Sequence, residues 1–121
     1  MSSKGEDHYA IVETSLGGDE LTLTLVADGH NGAFAAEYAT QHVLSRVVDK
    51  ATDGSVDALD VAVRSTLAEV HEFIRIEKPA AGAAVTLCAV NATRREAHVW
   101  NVGDALAIFV EGGHSHRRPM L

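Results

Sequence analysis

Two helical periodicities that follow one another directly, with strand-like runs on either side, constrain the fold of this chain more than any other feature. Ala35, Ala39, Val43 and Val47 make an i, i+4 seam flanked by Phe34, Tyr38 and Leu44, which predicts a helix opening at Asn31 or Gly32 and running to about Asp49. Ala51-Thr-Asp-Gly54 breaks it. Ser55 then offers an N-cap, with Asp57 in the first turn, where a negative charge suits the helix dipole. Val56, Leu59, Val63, Leu67, Val70 and Ile74 recur at helical spacing, and Pro79 stops the pattern. Upstream, His8 to Thr14 alternates loosely, Ser15 to Glu20 is a Gly-rich turn, and Leu21, Leu23 and Leu25 alternate with Thr22 and Thr24, which together predict a hairpin. Downstream, Val85 to Val90 is a short apolar run and Asn91 to Arg95 a polar turn. His98, Trp100 and Val102 then alternate with Ala97, Val99 and Asn101, and Ala105 to Val110 supplies another apolar run. The order is β-β-α-α-β-β-β. Consecutive helices, rather than helices set between parallel strands, predict an antiparallel α+β architecture.

A chain of 121 residues with 46% apolar content suits one domain with one core. Its formal charge of −7, from 17 acidic against 10 basic residues, argues against a nucleic-acid partner, whose phosphates call for a basic footprint. No run approaches a membrane span, and the amino end lacks the apolar core of a signal peptide. Cys88, the single cysteine, sits in an apolar run and reads as a buried, inert thiol in a reducing compartment. The expectation is an intracellular, cytoplasmic protein, with the nucleus left open. His114 and His116 are close in sequence, but they stand in a polar tail and carry little metal-binding signal.

The chemistry gathers around Val26-Ala-Asp28-Gly29-His30-Asn-Gly32. Asp28 falls at the end of an apolar run, beside a Gly whose carbonyl can turn inward and two residues before His30. Carboxylate and carbonyl oxygens are the ligands Mg²⁺ or Mn²⁺ prefers, and an imidazole can move protons. Asp-Gly and Asn-Gly are also turn dipeptides, so the same residues read equally as a plain turn. Further acidic residues, Glu6, Asp7 and Asp104, stand next to Gly or at element ends, where an antiparallel sheet can bring carboxylates to one edge.

Taken together, these segments resemble a known family. Gly5-Glu6-Asp7, the Asp28-Gly29-His30-Asn-Gly32 stretch, Ala81-Gly82-Ala83-Ala84-Val85 and Asn101-Val-Gly103-Asp104 occur in the order and context of the metal-dependent protein serine/threonine phosphatases of type 2C. The resemblance runs from about Lys4 to Val110. It implies a β-sandwich with antiparallel helices packed outside, of which this chain represents about the first half. It divides the chain into a partial phosphatase domain at 1–111 and a polar tail at 112–121. It also implies dephosphorylation of phosphoserine or phosphothreonine in a phosphoprotein substrate by a water that bridges two Mn²⁺ or Mg²⁺ ions. Asp28 would bridge those ions, the Gly29 carbonyl would bind one of them, and Glu6 would be a further ligand with Asp7 close by. His30 would be the catalytic residue protonating the leaving oxygen, and Asp104 would help hold a third ion.

The departures from the family pattern bear on activity. The Arg that usually clamps substrate phosphate falls at Ser2, and nearby Lys4 is a point charge rather than a bidentate fork. Ala83-Ala84 and Ala105-Leu106 replace hydroxyl- and guanidinium-bearing residues. The family's later aspartates have no counterpart, since no Asp follows Asp104. The expectation is therefore an enzyme whose activity needs a longer chain, this stretch alone being inactive. The alternative is a catalytically silent binding or regulatory module, with open sheet edges that could receive a protein partner.

Overall fold

In the computed structural model, which describes residues 7–102 and 118–119, the chain forms an antiparallel sheet of order β1-β2-β3-β4-β5 with two helices. The elements are β1 (Asp7–Leu16), β2 (Asp19–His30), α1 (Phe34–Lys50), α2 (Val56–Glu77), β3 (Gly82–Asn91), β4 (Glu96–Val102) and β5 (Arg118–Pro119). The antiparallel α+β expectation is met. The apolar run Ala105–Val110, expected to be the next strand, lies outside the described residues. Arg118–Pro119, within the stretch read as a polar tail, pairs with Glu96 and Ala97.

The helices and the sheet share one core, because alternate residues of each strand point to the same face. Leu21, Leu23, Leu25 and Ala27 of β2, Val85, Leu87 and Ala89 of β3, and Trp100 and Val102 of β4 are buried there. Against them pack Ala35, Ala39, Val43 and Val47 of α1, the very seam read from the sequence, and Leu59, Val63, Leu67, Val70 and Ile74 of α2. Each fully buried Leu or Val stabilises by about 1.5–3 kcal/mol. That outweighs local defects. Helix α1 has Ala33 at its N-cap, with no side-chain hydrogen bond there, which forgoes only about 1 kcal/mol. Helix α2 has the cap expected of it: Ser55 Oγ accepts from Ala58 N at 3.2 Å. The Trp100 indole N–H donates to Asp60 Oδ1 at 2.9 Å, tying the middle of β4 to α2.

Among the described residues no helix lies on the other face of the sheet. Tyr9 is 75% exposed, Ile11 58% and Val26 53%, and Tyr9 stands directly opposite Val26 in register. Cys88 is half-buried rather than enclosed, and burial pushes its thiol pKa up, as expected of an inert sulfur.

The two ends of the sheet are built differently. At one end Gly17 and Gly18, with φ of +58° and +90°, make the two-residue turn between β1 and β2. Gly17 is required there on two counts, since a Cβ would also lie 2.7 Å from Asp53 Cβ. Beside this turn a polar knot closes the core. Buried Asn91 donates from Nδ2 to Asp19 Oδ2 at 3.0 Å and to Gly54 O at 3.1 Å, and accepts at Oδ1 from Arg94 N at 2.9 Å. Arg94 Nε donates to Asp19 Oδ2 at 2.6 Å. The opposite end carries the candidate site.

Candidate active site

Strand β2 does not stop at Asp28. Its ladder with β3 runs on through Asp28↔Ala84, Gly29↔Ala83 and His30↔Gly82. The Asp-Gly pair that reads as a turn is thus regular strand, and the turn comes one step later. Asn31 and Gly32 take φ of +60° and +104°, Ala33 follows, and α1 begins at Phe34. Asn is among the few non-Gly residues that enter the left-handed region readily, so Asn31-Gly32 can reverse the chain where Asp28-Gly29 does not have to.

This ladder fixes where the site residues stand. Asp7 is the register partner of Asp28 across β1 and β2, and Ala84 is its partner across β2 and β3. Like charges directly opposite one another on adjacent strands are a pairing that sheets disfavour. Asp28 is exposed, on the face away from the helices, and Gly29 is buried. On the helix side of the same end, His8 Nε2 lies 3.9 Å from Glu37 Oε2 in the first turn of α1.

Of the residues expected to form the site, the structure brings Asp7, Asp28, Gly29 and the backbone of His30 to one end of the sheet. Glu6, Asp104 and Ser2 lie outside the described residues. The donors Asp28 and Gly29 are oxygen donors of the kind a hard cation takes. In number they fall short: among the described residues no group of three or more His, Cys, Asp or Glu is gathered to hold a metal ion. The fit to Mn²⁺ or Mg²⁺ is one of chemistry and place, not of a complete shell.

Asn31 was not singled out by sequence reasoning except as a turn former. Its Nδ2 donates to Ala80 O at 2.6 Å, across 49 residues. The signal that could have found it is the coincidence of an Asn-Gly turn at the start of α1 with a Pro-Ala turn at the end of α2. Both connections must lie at the same end of the sheet if β2 and β3 are neighbours.

The protein phosphatase 2C family model matches residues 3–120, nearly the whole chain. The chain is 33% identical over 112 residues to the probable protein phosphatase 2C 45 of Oryza sativa subsp. japonica, a match that takes in 91% of this chain and 39% of that protein. It is 28% identical over 110 residues to the probable protein phosphatase 2C 55 of the same organism, covering 89% of this chain and 29% of the relative. It therefore spans well under half the length of either relative. Among solved structures, a C. elegans sex determining protein superposes with a TM-score of 0.63 at 22% identity, over 84% of this chain and 27% of that one, a likeness of fold. Among the described residues no helix is long and apolar enough to cross a membrane.

Proposed function

We propose, starting from the fact that this chain belongs to the protein phosphatase 2C family, that it supplies the Asp28-Gly29-His30 half of a metal-dependent protein serine/threonine phosphatase site. The observation that carries this reading is the cross-strand register of Asp7 with Asp28 at the end of a ladder that continues through His30. In that reading Asp28 and the Gly29 carbonyl, together with Glu6 and Asp104, would hold Mn²⁺ or Mg²⁺. When bound, two such ions lower the pKa of a water and neutralise phosphate charge, which removes any need for a cysteine nucleophile. The chain's own contributions are positional. Strand β2 sets the Asp28 carboxylate on rigid backbone, and His30, two residues along, gives its proton to the departing serine or threonine oxygen. The substrate is a phosphoprotein, and the protein is read as intracellular.

The test is release of phosphate from a phosphothreonine peptide, with and without Mn²⁺, by a protein that joins this chain to the remaining length of a family domain. Mn²⁺-dependent hydrolysis that falls roughly 100-fold or more in Asp28→Ala is the expected result. Hydrolysis that ignores both the metal and that substitution would sink the proposal.

A second reading, a phosphatase-like binding module without activity, draws on one specific observation. The β3 neighbour of Asp28 is Ala84, a methyl group in the register position beside the carboxylate. Calorimetric titration of the 121-residue chain with Mn²⁺ bears on it: tight binding counts against a silent module.

A further inference from the structure

Beyond the residues that would do chemistry, we propose that Asn31 is a positioning residue for the candidate site, acting through the last rungs of the β2–β3 ladder. The inference deepens the phosphatase reading, since Asp28, Gly29 and His30 are the residues it positions, but its geometry stands without it.

The argument begins with fraying. Terminal rungs of a ladder open more readily than central ones, and these rungs contain Gly29 and Gly82, residues with unusual backbone freedom to regain. Past His30↔Gly82 there is no further rung, because β2 turns into α1 and β3 is entered from α2. The incoming connection is itself turned, with Ala81 N donating to Lys78 O at 2.9 Å. Asn31 spans the gap. Its Nδ2 donates to Ala80 O at 2.6 Å, so a side chain makes the cross-strand link that backbone no longer can.

Two demands meet at this position, and Asn answers both. The backbone sits at φ +60°, where Gly, Asn and Asp are tolerated and most residues are strained. The partner is a carbonyl, so the side chain must donate. Gly fits the backbone and donates nothing. Asp fits the backbone and would face a carbonyl with an acceptor. The tie therefore holds the segment bearing Asp28 and His30 against the segment bearing Gly82 and Ala84.

Amide hydrogen exchange on the 121-residue chain, without metal or substrate, tests this independently of any activity. In Asn31→Gly and Asn31→Asp, those amides of Gly29, His30, Gly82 and Ala83 that are protected in the parent should exchange about three- to tenfold faster, while Leu21 to Leu25 are unchanged. The parent itself should show a scalar coupling across the hydrogen bond from Asn31 Nδ2 to the Ala80 carbonyl carbon. Parent-like exchange in Asn31→Gly would show that only the left-handed backbone matters and would overturn the proposal. So would acceleration spread evenly over β2, or absence of the coupling. None of these outcomes touches the phosphatase reading, and failure of Mn²⁺-dependent hydrolysis would leave the exchange result standing.

Discussion

The two ends of the sheet use polar residues for opposite purposes. At the Gly17-Gly18 end, Asp19, Asn91 and Arg94 satisfy one another, and Asn91 is only 1% exposed. At the Asn31-Gly32 end, Asp7 and Asp28 face each other in register with Asp28 exposed. A carboxylate met by an amide and a guanidinium is a structural element. Two acidic residues set opposite one another in register bring like charges together, which costs stability rather than adding to it. The same residue type thus serves stability at one end and, in the function proposed above, metal binding at the other.

The largest expected effect of breaking this contrast is Asn91→Ala at the structural end. It strands the Gly54 carbonyl and removes a donor to Asp19 in a buried place, so urea unfolding should show a loss of about 2–3 kcal/mol. Asp28→Ala at the other end should shift the same unfolding curve by no more than about 0.5 kcal/mol, as expected for an exposed position. A large loss there would erase the distinction between the ends.

Acid sharpens it further. Hydrogen bonds from Asn91 and then Arg94 hold the Asp19 carboxyl below its ordinary value of 3.8. A folded value below the unfolded one means the stabilisation is complete above the unfolded value and is lost as pH falls through the folded one. Stability should therefore decline below about pH 4, and Asp19→Asn should flatten that decline. A pH series of melting temperatures for parent and variant reads the difference, and identical acid limbs would show the knot to be electrostatically idle. Within the knot itself, a smaller effect than that of Asn91→Ala is expected at Gly54, where a Cβ would stand 2.9 Å from Asp19 Cβ. Gly54→Ala should cost about 1 kcal/mol if the two loops part slightly, read from the same unfolding curves.

Much of this was legible in the sequence for identifiable reasons. Helix α2 announced itself through a long apolar repeat, a Ser55 cap and a Pro79 stop, all local signals. The buried seam of α1 and the alternation of Leu21, Leu23 and Leu25 did likewise. What local signals could not decide was which of two turn dipeptides turns. Asp28-Gly29 and Asn31-Gly32 look alike in isolation, and pairing with β3, more than 50 residues away, keeps the first extended. The polar knot was hidden for the same reason, since Asp19 at the start of β2, Gly54 between the helices and Asn91 at the end of β3 are far apart in the chain. The Asp7 and Asp28 register follows from the tight Gly17-Gly18 turn, which sets the pairing for the whole hairpin. The ligand roles given to Glu6, Asp7, Asp28, Gly29 and Asp104, and the proton-donating role of His30, rest on family resemblance and remain proposals tested by the Mn²⁺ experiments.

The Asn31-Gly32 turn also sets a clock. The amide nitrogen that donates to Ala80 is the group expelled as ammonia if the Gly32 backbone nitrogen attacks the Asn31 side-chain carbonyl, closing a succinimide that water reopens to Asp or isoAsp. While the hydrogen bond persists and the turn keeps its left-handed shape, the leaving group is held and the attacking nitrogen is constrained. Ageing of the folded chain at mildly alkaline pH should therefore deamidate Asn31 more slowly than ageing in urea, as peptide mass analysis would report. Each molecule that does react exchanges a donor for a negative charge three residues from Asp28, so age would loosen the end of the sheet that carries the candidate site.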